Sequence, residues 1–236
     1  SCSMRSMRLL AASAVACATL AFACQAQAAS TRELGYPAAS PFPAADCPDN
    51  CQAVAQVSGM QVALGSVRNP FRVSKPGYIV AWTVRLGNPN TDQLNFFKGT
   101  YGSVPQARLS VFKSLKSKHR YRLQAQSDLF KVEPYFGSTP TFVLKKPLRM
   151  HTNEILGLTV PTWVPAFAHG LDNHQAWRSS HQGSDCTATT PPQGAHQTVR
   201  TVKVYECLYR TARLLFSATF VPDPTPTAKK PKRTDR

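Results

Sequence analysis

The richest cluster of potential metal ligands in this 236-residue chain lies late in the sequence. His169, Asp172, His174 and His181 fall within thirteen positions, with Asp185 and His196 close behind. Imidazole and carboxylate groups ligate zinc and copper, so His169, His174 and His181 form a candidate metal site for a secreted, metal-assisted hydrolase. Their x4 and x6 spacings match no established metal motif, and H-E-x-x-H is absent. A solvated polar loop is the plainer reading, so no metal site is favoured.

Other catalytic arrangements find less support. The sequence has no G-x-S-x-G elbow, no P-loop and no dinucleotide fingerprint. Carboxylates can always be paired on paper for glycoside hydrolysis, yet none stands in a recognisable context. Glu154 and Glu206 border strand-like segments and read as solvated edges. We therefore expect no catalytic residue and no cofactor.

Two features suit binding better. Trp163 and Trp177 flank a polar stretch near Asn173, Gln175 and Arg178, a composition that can stack and hydrogen-bond a sugar. The competing reading places both indoles in the core, since Trp163 lies among Val160, Val164 and Phe167. The second feature is charge. The chain carries 28 Lys+Arg against 12 Asp+Glu, a formal +16. Residues 107–150 hold ten basic residues against Asp128 and Glu133 alone. Lys113, Lys116, Lys118, Arg120 and Arg122 are separated mainly by polar residues, so they are expected to point to solvent across a hairpin. Such a patch attracts polyanions. Solubility charge is the competing explanation.

The compartment follows from the N-terminus. Arg5 and Arg8 precede an apolar stretch from Leu9 to Ala23, then Ala26 and Ala28 in an Ala-x-Ala arrangement. This matches a secretory signal peptide over 1–28, with translation starting at Met4 or Met7. Lipidation at Cys24 or Cys17 fits less well, because Phe22 is bulky and the apolar run before Cys17 is short. Cleavage removes three cysteines and leaves Cys47, Cys51, Cys186 and Cys207. Four cysteines in an exported chain predict two disulfides, and three connectivities are possible. Pro48-Asp49-Asn50 is a turn that favours a local 47–51 bridge, which leaves 186–207. In that compartment the expected partner is an anionic cell-wall polymer or polysaccharide, and no nucleic acid is expected. No apolar run after the signal is long enough to span a membrane.

The elements that must position these groups read as β. Residues 78–86 (Tyr-Ile-Val-Ala-Trp-Thr-Val-Arg-Leu) form the strongest strand signal. Others lie at 54–57 and 60–64, 107–112, 120–124, 141–144 and 154–160, with a long run at 208–221. One helix is expected over 91–97, with Thr91 as its cap. The fold class is thus all-β, an antiparallel β-sandwich of jelly-roll-like pattern with little helix. The expected organisation is a Pro/Ala-rich lead-in at 29–46, one domain at 47–221 with a long polar loop region at 161–200, and a disordered basic tail at 222–236.

Several blocks carry a resemblance. Arg68–Val73, Pro105–Val111, Glu133–Pro140, Pro161–Ala168, Ala176–Ser180 and Tyr209–Leu215 resemble segments of uncharacterised secreted proteins of actinobacteria. The resemblance covers 47–224 and implies export and a shared fold, with no established activity. The resulting expectation is an extracellular, non-catalytic binding module for an anionic or carbohydrate polymer.

Overall fold

In the computed structural model, residues 30–36, 41–181, 186 and 194–224 are described. The expected signal peptide and most of the basic tail lie outside them. In chain order the first strands are β1 (Arg32–Leu34), β2 (Val54–Leu64), β3 (Val67–Arg68) and β4 (Gly77–Val84). After α1 (Thr91–Tyr101) come β5 (Gln106–Ser114), β6 (Arg120–Gln126), β7 (Phe130–Lys131), β8 (Thr141–Met150) and β9 (Ile155–Val164). Short strands β10 (Phe167–Ala168), β11 (Ala176–Ser179), β12 (Val202–Val204), β13 (Cys207–Arg210) and β14 (Arg213–Leu214) precede β15 (Phe216–Pro222).

These strands form two principal antiparallel sheets. The smaller runs β1-β15-β4-β8, and the larger runs β12-β6-β5-β9-β2-β11-β13, with β3 on β2 and β7 on β5. The larger sheet curls into half a barrel, and the class is the all-β, sandwich-like one expected from the sequence. One contiguous core joins both sheets. It includes Ile79, Trp82 and Val84 of β4, Phe216 and Phe220 of β15, and Leu109, Val111, Leu156 and Leu158 of β5 and β9. Each fully buried side chain of this kind contributes roughly 1.5–3 kcal/mol. On β4 the buried positions pass from odd to even numbers across the register shift between Ile79 and Ala81.

Several sequence expectations change in detail. The run 208–221 is not one strand: β13 joins the large sheet, β14 pairs with β10, and β15 joins the small sheet. Thr211 sits at φ 54°, a left-handed turn that redirects the chain between sheets. The lead-in supplies a strand of its own. β1 pairs with β15, Leu34 is buried, and the Glu33 carboxylate accepts from the hydroxyls of Ser217 and Thr219. The region 161–200 is only partly a loop, since β9 extends to Val164 and β10 and β11 follow. Its segments 182–185 and 187–193, including Asp185, lie outside the described residues. The helix cap is Asn90, one residue before Thr91, in a reciprocal capping box with Gln93.

Candidate functional site

The cationic segment is a β-hairpin. β5 and β6 pair antiparallel with Phe112 opposite Leu123 and Lys113 opposite Arg122. The turn closes through Leu115 N–H donating to the Arg120 carbonyl at 2.9 Å, with His119 at φ 58°. Alternation then sorts the side chains. Phe112 and Leu123 are buried and Tyr121 packs against the core, which leaves Arg120 and Arg122 facing outward. Lys113, Lys116, Lys118, Arg120 and Arg122 are all exposed.

Lys113 and Arg122 are directly opposed, which places their Cβ atoms about 5 Å apart, where like charges repel. Among the described residues none of the five cations has an ion-pair partner. Ion pairs seen among the described residues join Lys98 to Glu133, Arg149 to Asp223 and His169 to Asp46. The field extends under the hairpin tip. Burial holds His119 below its ordinary pKa, and the Arg178 and Lys118 cations add to this against a smaller opposing effect of Glu206.

A cation from a distant part of the chain lies against the hairpin on its other face, the one that carries Tyr121. β12 pairs with β6 and sets Lys203 beside Tyr121. Burial lowers the Lys203 pKa, and its ammonium donates to the Gly194 carbonyl at 2.6 Å. Spacing could not connect Lys203 with the hairpin, because about eighty residues separate them. The only local signal was the apolar alternation of Val202 and Val204. The tip itself is anchored by Tyr205 N–H donating to the His119 carbonyl at 2.8 Å.

The two tryptophan candidates are corrected. Trp163 is 0% exposed, stacks on Phe97 at 4.8 Å and donates from Nε1 to the Gly102 carbonyl at 3.0 Å. Trp177 is 5% exposed and stacks on Tyr209 at 4.7 Å. A Cβ at Gly59 would meet the Trp177 ring at 2.8 Å, so glycine there lets the indole lie against β2. Neither ring presents a face on which a sugar could stack.

The histidines do not converge. His169 Nδ1 pairs with Asp46 at 2.6 Å, while His174 is exposed and its N–H donates to Asp172. His181 Nδ1 lies 2.8 Å from the Tyr209 hydroxyl. Among the described residues no three His, Cys, Asp or Glu side chains are placed to hold a metal ion. The cysteines pair 47–51 and 186–207, as the count and the turn suggested. Glu154 is not a solvated edge: it is buried and accepts from His151 N–H at 2.7 Å and Gln124 Nε2 at 3.3 Å.

The structure also reveals a polar network that sequence spacing could not reveal. On the large sheet, Ser110 of β5 meets Thr159 of β9 at 2.7 Å, and Thr159 meets Ser58 of β2 at 2.8 Å. His196 closes the network. Its N–H donates to Ser58 Oγ at 2.9 Å, while Nε2 lies 2.9 Å from Thr201 Oγ1 and Nδ1 lies 3.2 Å from the Tyr205 hydroxyl. Burial pulls the His196 pKa down to about 4 and pushes the Tyr205 phenol well up. His196 is therefore neutral at physiological pH. A fully enclosed imidazole with both ring nitrogens engaged fixes packing and has no access to a substrate.

Comparison with protein-family models, curated proteins and solved structures finds no match.

Proposed function

We propose that this chain is an exported, non-catalytic binding module whose β5–β6 hairpin holds an anionic polymer, either of the cell wall or an acidic polysaccharide. One observation carries the reading: five exposed cations share a hairpin, two of them directly opposed, and among the described residues no carboxylate pairs with any of them. Such an arrangement is locally repulsive, and a bound polyanion relieves it. The buried tryptophans shift the reading from sugar stacking to charge.

Export is supported by the leader-like N-terminus, the resemblance to secreted actinobacterial proteins and two disulfides, which persist in oxidising compartments. No helix among the described residues is long and apolar enough to cross a membrane. A pull-down against cell-wall material at low and high salt tests the proposal. Retention should be strong at low salt and fall steeply at high salt, since screening shortens the Debye length from about 10 Å at 0.1 M to about 3 Å at 1 M. Replacing the five cations by Gln should abolish the low-salt retention. Retention indifferent to both changes would overturn the reading.

A further inference from the structure

A second feature lies away from the hairpin, at the end of β4. Here a cleft of about 420 Å³ opens between three segments, within the size range of small-molecule sites. The first runs through Ala44 and Ala45 into the Cys47–Cys51 hook, the second is Arg85 to Asn88, and the third is Gly137 to Thr139.

Backbone hydrogen bonds hold these walls together. Asn88 N–H donates to the Cys47 carbonyl at 3.3 Å, Gly137 N–H to the Gly87 carbonyl at 3.1 Å, and Leu86 N–H to the Ser138 carbonyl at 2.9 Å. A Cβ at Gly87 would meet Cys47 Cβ at 2.9 Å, so the disulfide hook can approach the strand end only because glycine stands there. The cleft is thus built by the fold, with one wall covalently closed.

Its lining contains two opposite charges that do not pair. Arg85 is half-buried, and among the described residues its guanidinium has neither an ion-pair nor a hydrogen-bond partner. Asp49 is exposed and likewise unpaired. A guanidinium has five N–H donors in a planar fork matched to a carboxylate. Asn88 adds an amide and Thr139 a hydroxyl. The Ser138 hydroxyl donates to the Tyr135 carbonyl at 2.6 Å, which leaves its lone pairs to accept. A ligand matching this set carries a carboxylate on one side and hydroxyl donors on the other.

The geometry points to a binding site for a sugar acid, with its carboxylate on Arg85 and its ring hydroxyls on Asp49, Asn88 and Ser138. This goes beyond the hairpin reading and stands whether or not the hairpin binds a polymer. The probe is monomeric glucuronate, added to the full chain and followed by calorimetric titration and by amide chemical shifts. Glucose lacks the carboxylate and acetate lacks the hydroxyls. Glucuronate should saturate with a Kd of about 1 mM or tighter, corresponding to a modest set of hydrogen bonds, and both controls should bind about ten-fold more weakly.

Arg85→Gln should weaken glucuronate about ten-fold or more with the melting temperature unchanged, because the charged fork is gone. Should that variant fail to fold, Arg85→Lys keeps the charge without the fork and should still lose most of the affinity. Replacing the five hairpin cations by Gln should leave glucuronate binding unchanged, which separates this site from the hairpin. Absence of saturable glucuronate binding, an equal response to acetate, or wild-type affinity in a folded Arg85 variant would overturn the assignment.

Discussion

On β5, Ser110 and Lys113 are three residues apart and obey opposite rules. Ser110 is fully buried, and its hydroxyl contacts Thr159 at 2.7 Å and accepts from Gln126 Nε2 at 2.9 Å. It belongs to a network whose members each hold a partner, through Ser58 to His196 and on to Tyr205 and Thr201. Lys113 is exposed, faces Arg122 across the hairpin and among the described residues pairs with no carboxylate. The buried network answers a demand of folding, since an unpaired polar group inside the sheet would cost about 1–3 kcal/mol. The hairpin cations answer no such demand. Polar groups satisfied within the fold maintain it, and charges left unmatched on a stable scaffold are available to a partner.

The largest effect is expected on the buried side. Trp163 seals α1 against β9 through Phe97 and Phe136, and Trp163→Ala should cost roughly 3–5 kcal/mol. Denaturant titration measures it. A cost below about 1 kcal/mol would show that the indole is not a core residue.

A smaller effect is expected from His196. Its folded pKa, about 4, lies below the ordinary value of 6.5, so the unfolded chain binds the proton first. Its stabilising contribution is therefore complete above pH 6.5 and is lost progressively as pH falls toward 4. The span between those values sets a ceiling of about 3 kcal/mol. Stability measured from pH 7 to pH 4 should decline, and His196→Asn should flatten that decline. An unchanged pH profile in the variant would remove His196 as its cause.

The smallest effect belongs to the hairpin. Exposed residues away from special features change stability by only about 0.5 kcal/mol on substitution. Replacing Lys113, Lys116, Lys118, Arg120 and Arg122 by Gln should leave the melting temperature equal to or slightly above wild type, because repulsion between Lys113 and Arg122 is relieved. A marked fall would mean that these cations are structural.

The sequence made some of this legible for identifiable reasons. β4 stood out because Tyr78, Ile79, Val80, Trp82, Thr83 and Val84 are β-branched or aromatic. The outward cations followed from the polar Ser114, Ser117 and His119 set between them. The disulfides followed from four cysteines and one tight turn. What stayed hidden depends on contacts distant in sequence. Nothing in the neighbourhood of Ser58, Ser110, Thr159 or His196 tells that they meet, since they lie on separate strands and a later loop. β1 was hidden because Arg32-Glu33-Leu34 is short and stands in Pro- and Ala-rich surroundings. The break in 208–221 depends on a threonine at φ 54°, a conformation that its residue type does not announce.

Salt-resolved affinity bears most closely on the proposal that the hairpin binds through its exposed positive charge. Labelled polyglucuronate can be titrated into the wild-type chain and the five-Gln variant over a series of salt concentrations. Tight binding at low salt that weakens steeply is expected of the wild type, against a weak, nearly flat response in a variant with an unchanged melting temperature. Equal affinity and equal salt dependence in the two proteins would contradict it.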